Sequence, residues 1–292
     1  MEYSTTNIND TRLEFTIVGS GQTPLVLIHG GIIADANIPI INQLFVSKRF
    51  RLFHYHRRGY AGSTHIPTDC SVSISKQADD CFQLIRRYFC IKGGAHILGH
   101  SVGGAIALQL AMDHPETVRT LSLLEPALTG YDLHNTRGSE VVTSFSSLID
   151  MYDAGDKVKA IVTFMKSTIG PDYHNIIREL LPQDAFDMAV RDAETFFHQE
   201  IPAMETWPIS RYSDLSNIST MTKEVFASIK QPILFVRGSD SGHVSIDRQI
   251  FLSKVVSQVE IAVIQKSKHM LQLMNPVELS CKLTSFLTKY SD

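Results

Sequence analysis

Short, nearly continuous apolar runs recur along the chain, separated by segments whose apolar residues fall three and four positions apart. The runs at Leu13–Val18, Leu25–His29, Arg51–His56, Ala95–Leu98, Arg119–Leu124, Ile233–Val236 and Val259–Ile264 predict β-strands. Several lack strict alternation, as parallel strands covered on both faces do. Between them, Ser75–Phe89 and Ala105–Asp113 carry helical periodicity. Near the end, Asn275 and Pro276 supply a capping side chain and a first-turn proline. Leu279, Leu283, Phe286 and Leu287 then follow along one helix face. This alternation predicts an α/β protein with a doubly wound, mostly parallel sheet.

The alternation stops between about Ala127 and Ile229. There Val141–Met151, Asp156–Thr168, Ile176–Leu181 and Ala185–Gln199 predict helices, and no run is as strand-like as those outside. The chain is therefore expected to form a core, residues 1–126 and 230–292, with a helical cap inserted at residues 127–229. Such a cap would roof the carboxyl ends of the strands, where open α/β sheets bind ligands.

Composition narrows the function classes. The 292 residues are 43% apolar and 20% charged, with a formal charge of −3. That describes an ordinary globular protein without the basic footprint of a nucleic-acid binder. No stretch approaches a membrane span, and the N-terminus lacks a basic, then apolar leader, so a cytoplasmic location is expected. Cys70, Cys81, Cys90 and Cys281 show no C-x-x-C spacing and read as packing thiols. No phosphate loop, nucleotide fingerprint or metal cluster is legible, so no cofactor is expected. The expected partner is a small-molecule substrate, and the oligomeric state stays open between monomer and homodimer.

One segment carries chemistry. Gly99-His100-Ser101-Val102-Gly103 follows the run Ala95–Leu98 and precedes the small-residue start of a helix. That is G-x-S-x-G in a strand–turn–helix setting, where a serine hydroxyl stands exposed on a sharp turn. Such a serine needs a base. Among twelve histidines, His269 is favoured: it lies just past the last strand, on the sheet edge where Ser101 emerges, before the final helix. His243, also after a strand, is its rival. His100 points the other way round the turn and packs, orients or touches substrate. His54 and His56 alternate on one strand face, which would suit a metal. With no carboxylate or cysteine at ligand spacing they read as structural.

Four motifs, in order, now give a resemblance. His29-Gly30-Gly31 follows a buried strand; Arg57-Arg58-Gly59-Tyr60-Ala61-Gly62-Ser63 follows the next; Gly99–Gly103 is an elbow; Ser267-Lys268-His269-Met270 precedes Asn275-Pro276. Together they resemble the α/β-hydrolase fold superfamily over nearly the whole chain. Ala61 departs from the family's usual glycine. The resemblance implies a serine nucleophile at Ser101, a base at His269, and an oxyanion hole from the Gly31 and Val102 amides. The acid stays open. Most of the family places it after the strand that here ends near Arg237, where Asp240 is one candidate, although the usual position three past the glycine holds Ser241. A subset, including haloalkane dehalogenases and zearalenone-type lactonases, carries it at the strand end that here is Glu125, the favoured candidate.

The resemblance implies acyl transfer on a small to medium, largely apolar carboxylic ester or lactone. Serine at the elbow argues against the alkyl-enzyme route of relatives with aspartate there. Gly30, His100 and Trp207 are expected to touch substrate, beneath a cap rich in large apolar groups and with few cationic side chains near its pocket. A ligand-binding protein with slow or no turnover, or lyase or haloperoxidase chemistry on the same triad, is the alternative.

Overall fold

The computed structural model describes residues 1–46, 48–66, 72–89, 93–128, 138–207 and 218–291. Eight strands form one sheet among them: β1 (Ser4–Ile8), β2 (Thr11–Val18), β3 (Thr23–Ile28), β4 (Phe50–His56), β5 (Ala95–His100), β6 (Val118–Leu124), β7 (Ile233–Gly238) and β8 (Val259–Ile264). The spatial order is β1-β2-β4-β3-β5-β6-β7-β8. β1 and β2 form an antiparallel hairpin, β2 runs antiparallel to β4, and every pair from β4 onward is parallel. The sheet is thus the mostly parallel, doubly wound one that the pattern predicts. β1 was not legible. Its sequence STTNI is mostly polar, and only Thr6 and Ile8 turn inward; edge pairing, not burial, makes it a strand.

Strand residues divide cleanly between two layers. In β3, Leu25 and Leu27 face one core cluster, while Val26 and Ile28 face the other. The first layer holds α1 (Ile38–Val46) and the last helix, α12 (Pro276–Lys289), through Ile40, Ile41, Leu44, Leu279, Leu283 and Phe286. The second holds α2 (Ile74–Tyr88) and α3 (Val102–Asp113) through Cys81, Leu84, Ile106 and Leu110. Asn275 caps α12 as expected, its side chain accepting from the Glu278 amide at 3.2 Å. Cys281 is exposed on α12 and so is not a packing thiol, whereas Cys81 is buried. Cys70 and Cys90 lie outside the described residues.

Two glycines let α3 press against the sheet. A Cβ on Gly103 would strike the carbonyl oxygens of Ile28 and His29, and one on Gly104 would come within 2.7 Å of Pro126. That close approach fixes the turn before α3.

Between β6 and β7 lie α4 (Gly138–Asp153), α5 (Lys157–Thr168), α6 (Tyr173–Leu180), α7 (Ala185–Thr195), α8 (Ile201–Thr206) and α9 (Ile218–Ala227). A π-helical turn, Phe196–Glu200, joins α7 to α8. Phe164, Met165, Phe196 and Phe197 pack into the cluster that covers the α2–α3 face. After β7 and β8 come α10 (His243–Val255) and α11 (Leu271–Met274). No helix among the described residues is long and apolar enough to cross a membrane.

Candidate active site

Ser101 connects β5 to α3 at φ 52°, ψ −116°. This is a poorly populated conformation for a residue with a side chain, costing on the order of 1–3 kcal/mol unless its surroundings impose it. They do. Its amide donates to Leu124 O at 3.0 Å, and its carbonyl accepts from Gly104 N and Ala127 N, both at 2.9 Å. The turn lifts Ser101, half-buried, into a cavity of about 620 Å³. Gly31, His100, Glu125, Asp240, Ser241 and His269 share that wall, and Phe145, Leu148, Met151, Phe164, Phe196 and Met204 come from the segment between β6 and β7. Arg248 and Lys268, the cations on the wall, come from outside that segment.

Of the two acid candidates, Glu125 is the one beside His269. Its Oε2 lies 2.9 Å from His269 Nδ1. Its Oε1 accepts from Gly238 N at 2.9 Å and from the Ser241 hydroxyl. Asp240 is exposed, and its carboxylate accepts from Ser239 Oγ at 2.7 Å instead. His243 is exposed at the start of α10.

Glu125 is 3% exposed. Burial alone would raise its pKa, but the His269 bond and charge, the Ser241 hydroxyl and the Gly238 amide bring it down to about 2. A carboxyl depressed on folding stabilises the fold fully above its ordinary value of 4.5, and loses that contribution as the pH falls toward about 2. Wild-type melting temperature is therefore expected to fall more steeply with acid across this window than that of Glu125→Gln. Parallel curves would refute the assignment of this charge.

His100 lines the cavity but is fully engaged. Its Nε2 lies 3.0 Å from His269 O and its Nδ1 3.1 Å from Gln272 Nε2. These partners make Nε2 the donor and Nδ1 the acceptor. Its pKa is pushed down to about 3, first by burial and then by His269. A neutral ring holding the His269 backbone orients that loop.

Gly31 begins the turn after β3, and a Cβ on it would run into the Phe196 ring. Among the described residues, neither the Gly31 nor the Val102 amide has an acceptor within the fold, so both are free for a ligand. Gly30 does not line the cavity. Its Cα lies against His100 and Ser101, where a Cβ would come within 2.6 Å of His100 Nδ1. Trp207 is likewise away from the wall. It is 2% exposed, with Nε1 donating to Gln109 Oε1 at 2.7 Å and its ring against Phe226. Its indole needed a buried polar partner, and α3 supplies one.

His54 and His56 do have a carboxylate beside them, contrary to the sequence reading. Asp35, His54 and His56 offer ligand atoms within 4.8 Å of one another. His56, however, directs Nδ1 to Glu14 Oε2 at 2.7 Å and Nε2 to Asp35 Oδ1 at 3.0 Å. Burial alone would lower its pKa, but those two partners hold it above the ordinary histidine range. An imidazolium between two carboxylates has no lone pair for a metal. Tyr3 closes the cluster, its hydroxyl donating to Asp35 at 2.9 Å.

Behind the site lies a second polar cluster that sequence reading missed. Arg57, 1% exposed, donates through Nε to His29 O at 3.1 Å and through Nη2 to Gly30 O at 2.8 Å. Its Nη1 meets Glu200, which also accepts from Tyr60 Oη at 2.7 Å and Gln77 Nε2 at 3.1 Å. Nearby, Ala61 sits at φ 49°, its amide held by Asp192 Oδ2 at 2.7 Å. The alanine at the usual glycine position is accommodated by that bond. Two adjacent arginines before Gly59 were the available signal; their partners on α2 and the π-turn were not.

Residues 23–276 match the sequence model of the alpha/beta hydrolase fold. RutD of Agrobacterium fabrum, provisionally named a carbamate hydrolase, is 25% identical over 91% of this chain and 94% of its own. A 2-hydroxymuconate semialdehyde hydrolase of a Pseudomonas species is 23% identical over 97% of this chain and 90% of its own. Among solved structures, an enol-lactonase of Burkholderia xenovorans superposes with a TM-score of 0.70 at 17% identity, over 98% of this chain and 100% of that one.

Proposed function

The chain belongs to the alpha/beta hydrolase fold family, and from that premise we propose that it is a cofactor-free serine hydrolase of a carboxylic ester or lactone. The observation that carries this reading is one cavity wall that holds a nucleophile-elbow serine, Ser101, and a histidine, His269, tied to a buried carboxylate, Glu125, at 2.9 Å. The relatives named above are hydrolases, and the enol-lactonase shares the fold.

The chemistry follows from the groups. Ser101 Oγ attacks the substrate carbonyl carbon while its proton passes to His269 Nε2. Glu125 holds the opposite ring nitrogen protonated and stabilises the imidazolium. The new oxyanion lies between the Gly31 and Val102 amides, each contributing about 10²–10³ in rate. Collapse breaks the C–O bond, and the leaving alkoxide takes the proton from His269. Water then gives a proton to His269 and attacks the acyl-enzyme, and Ser101 recovers its hydrogen as the acid departs. In a lactone the leaving hydroxyl stays tethered to the product.

Substrate size follows from the cavity. A volume of about 620 Å³ walled by Phe145, Leu148, Phe164 and Phe196 suits an apolar group of small to medium size. Ser144, Ser147, Thr163 and Ser167 add hydroxyls on the same wall, and those of Thr163 and Ser167 donate within their own helix to Lys159 O and Phe164 O.

The test is reaction of the wild-type protein with a fluorophosphonate probe and with p-nitrophenyl butyrate. One probe per chain, mapped by peptide mass to Ser101, with a burst of p-nitrophenol, is expected. A folded protein that never labels and never turns over would move the ligand-binding alternative to first place.

A further inference from the structure

We propose that Arg57 and Glu200 are positioning residues for the oxyanion hole: a carboxylate from the π-turn holds the guanidinium that pins the Gly30–Gly31 peptide. The proposal rests on the reading of the Gly31 amide as an oxyanion donor.

The carbonyl of Gly30 and the N–H of Gly31 belong to one planar peptide group, so fixing the oxygen fixes where the hydrogen points. Gly30 O receives two donors, Arg57 Nη2 at 2.8 Å and His29 Nδ1 at 2.7 Å. His29 Nε2 accepts from the Arg57 amide at 3.0 Å, which leaves Nδ1 as the protonated nitrogen. A glycine pair without this restraint could rotate its peptide freely, because neither residue has a Cβ to limit it. A cationic donor on the carbonyl also polarises the peptide and strengthens its N–H as a donor.

A fully buried guanidinium needs a counter-charge. Glu200 supplies it, and its remaining bonds go to Tyr60 and Gln77. The ring of Tyr60 lies under the guanidinium, 4.7 Å from its carbon. Glu200 ends the π-turn that Phe196 begins, and Phe196 is the residue packed on the Gly31 Cα. One turn thus meets the oxyanion loop twice, by packing at its first residue and through Arg57 at its last. Just before it, Thr195 Oγ1 donates to Gly59 O at 3.0 Å and so ties the start of the π-turn to the loop that carries Arg57. Widened helical turns of this kind gather at functional sites.

The test compares the wild type with Arg57→Lys, Glu200→Gln and the double variant Arg57→Met/Glu200→Leu, using p-nitrophenyl butyrate. A lysine cannot fork onto two carbonyls. Arg57→Lys is expected to lower kcat by about tenfold to a hundredfold, a fraction of the loss of a whole oxyanion donor, with KM within about threefold. Glu200→Gln should fall between it and the wild type. The double variant leaves no unpaired charge; with its fold checked by melting temperature, it should share the kcat deficit of Arg57→Lys. Affinity for a trifluoromethyl ketone, whose adduct on Ser101 fills the oxyanion hole, should weaken by the same factor.

Recovery of kcat and ketone affinity in the double variant would mean that the pair only seats the π-turn, and the proposal fails. Full activity in folded Arg57→Lys refutes it too. Both results leave the hydrolase reading intact, because the wild type is then active. A wild type that neither hydrolyses the ester nor forms the ketone adduct overturns both.

Discussion

Replacing Ser101 by alanine is expected to lower kcat for ester hydrolysis roughly a millionfold, the loss that follows when a nucleophile acting in concert with its base is removed. What survives should be the residual catalysis of a bound substrate facing two oriented amides, about 10³–10⁴ over the uncatalysed rate. Stability should scarcely change. The backbone at this position is held by amide and carbonyl bonds to Leu124, Gly104 and Ala127, and alanine keeps all of them. The left-handed φ of 52° is no worse for alanine than for serine. The decisive measurement is kcat beside melting temperature: an unchanged melt with turnover above a hundredth of wild type would rule out Ser101 as nucleophile.

Glu125→Gln is expected to lower kcat by about 10⁴ through the tautomer of His269. A carboxylate at 2.9 Å from Nδ1 keeps the proton on that nitrogen and leaves Nε2 free to accept from Ser101. A glutamine that keeps its carbonyl toward the Gly238 amide and the Ser241 hydroxyl presents its NH₂ to the ring. The ring then carries its proton on Nε2 and cannot serve as base. Asp240→Asn is the control. Because that carboxylate faces Ser239, kcat should stay within about threefold of wild type. If Asp240→Asn were the crippled variant and Glu125→Gln the active one, the acid would have to be reassigned.

The parts legible in the sequence were those with a local cause. Strands buried on both faces announce themselves as apolar runs, and Ser101 stands in a turn whose glycines are contiguous with it. α1 escaped notice because IPIINQLFV has too little polar surface to show a helical face. α10 hides for the opposite reason, its apolar residues being scattered round the helix. The ambiguity over the acid also has a physical origin. The loop after β7 does reach the acid's place, but with Ser241, whose hydroxyl binds the Glu125 carboxylate. One loop position separates a donor from an acid, and spacing alone does not resolve that. Trp207 illustrates a different gap: a large aromatic between β6 and β7 looks like a pocket wall until its nitrogen is seen on Gln109. Glu200 was invisible for the same reason, since its partner Arg57 is 143 positions away.

The separation of Glu125 from His269 by 144 positions has a bearing on biosynthesis. A chain leaving the ribosome presents the elbow and its carboxylate long before the histidine exists. β7 must then add beside β6, and β8 beside β7, before the loop that bears His269 has a place to stand. Long-range closures of this kind are the slow ones. Nascent chains stalled before His269 can pair these strands, yet they lack the ring that closes on Glu125.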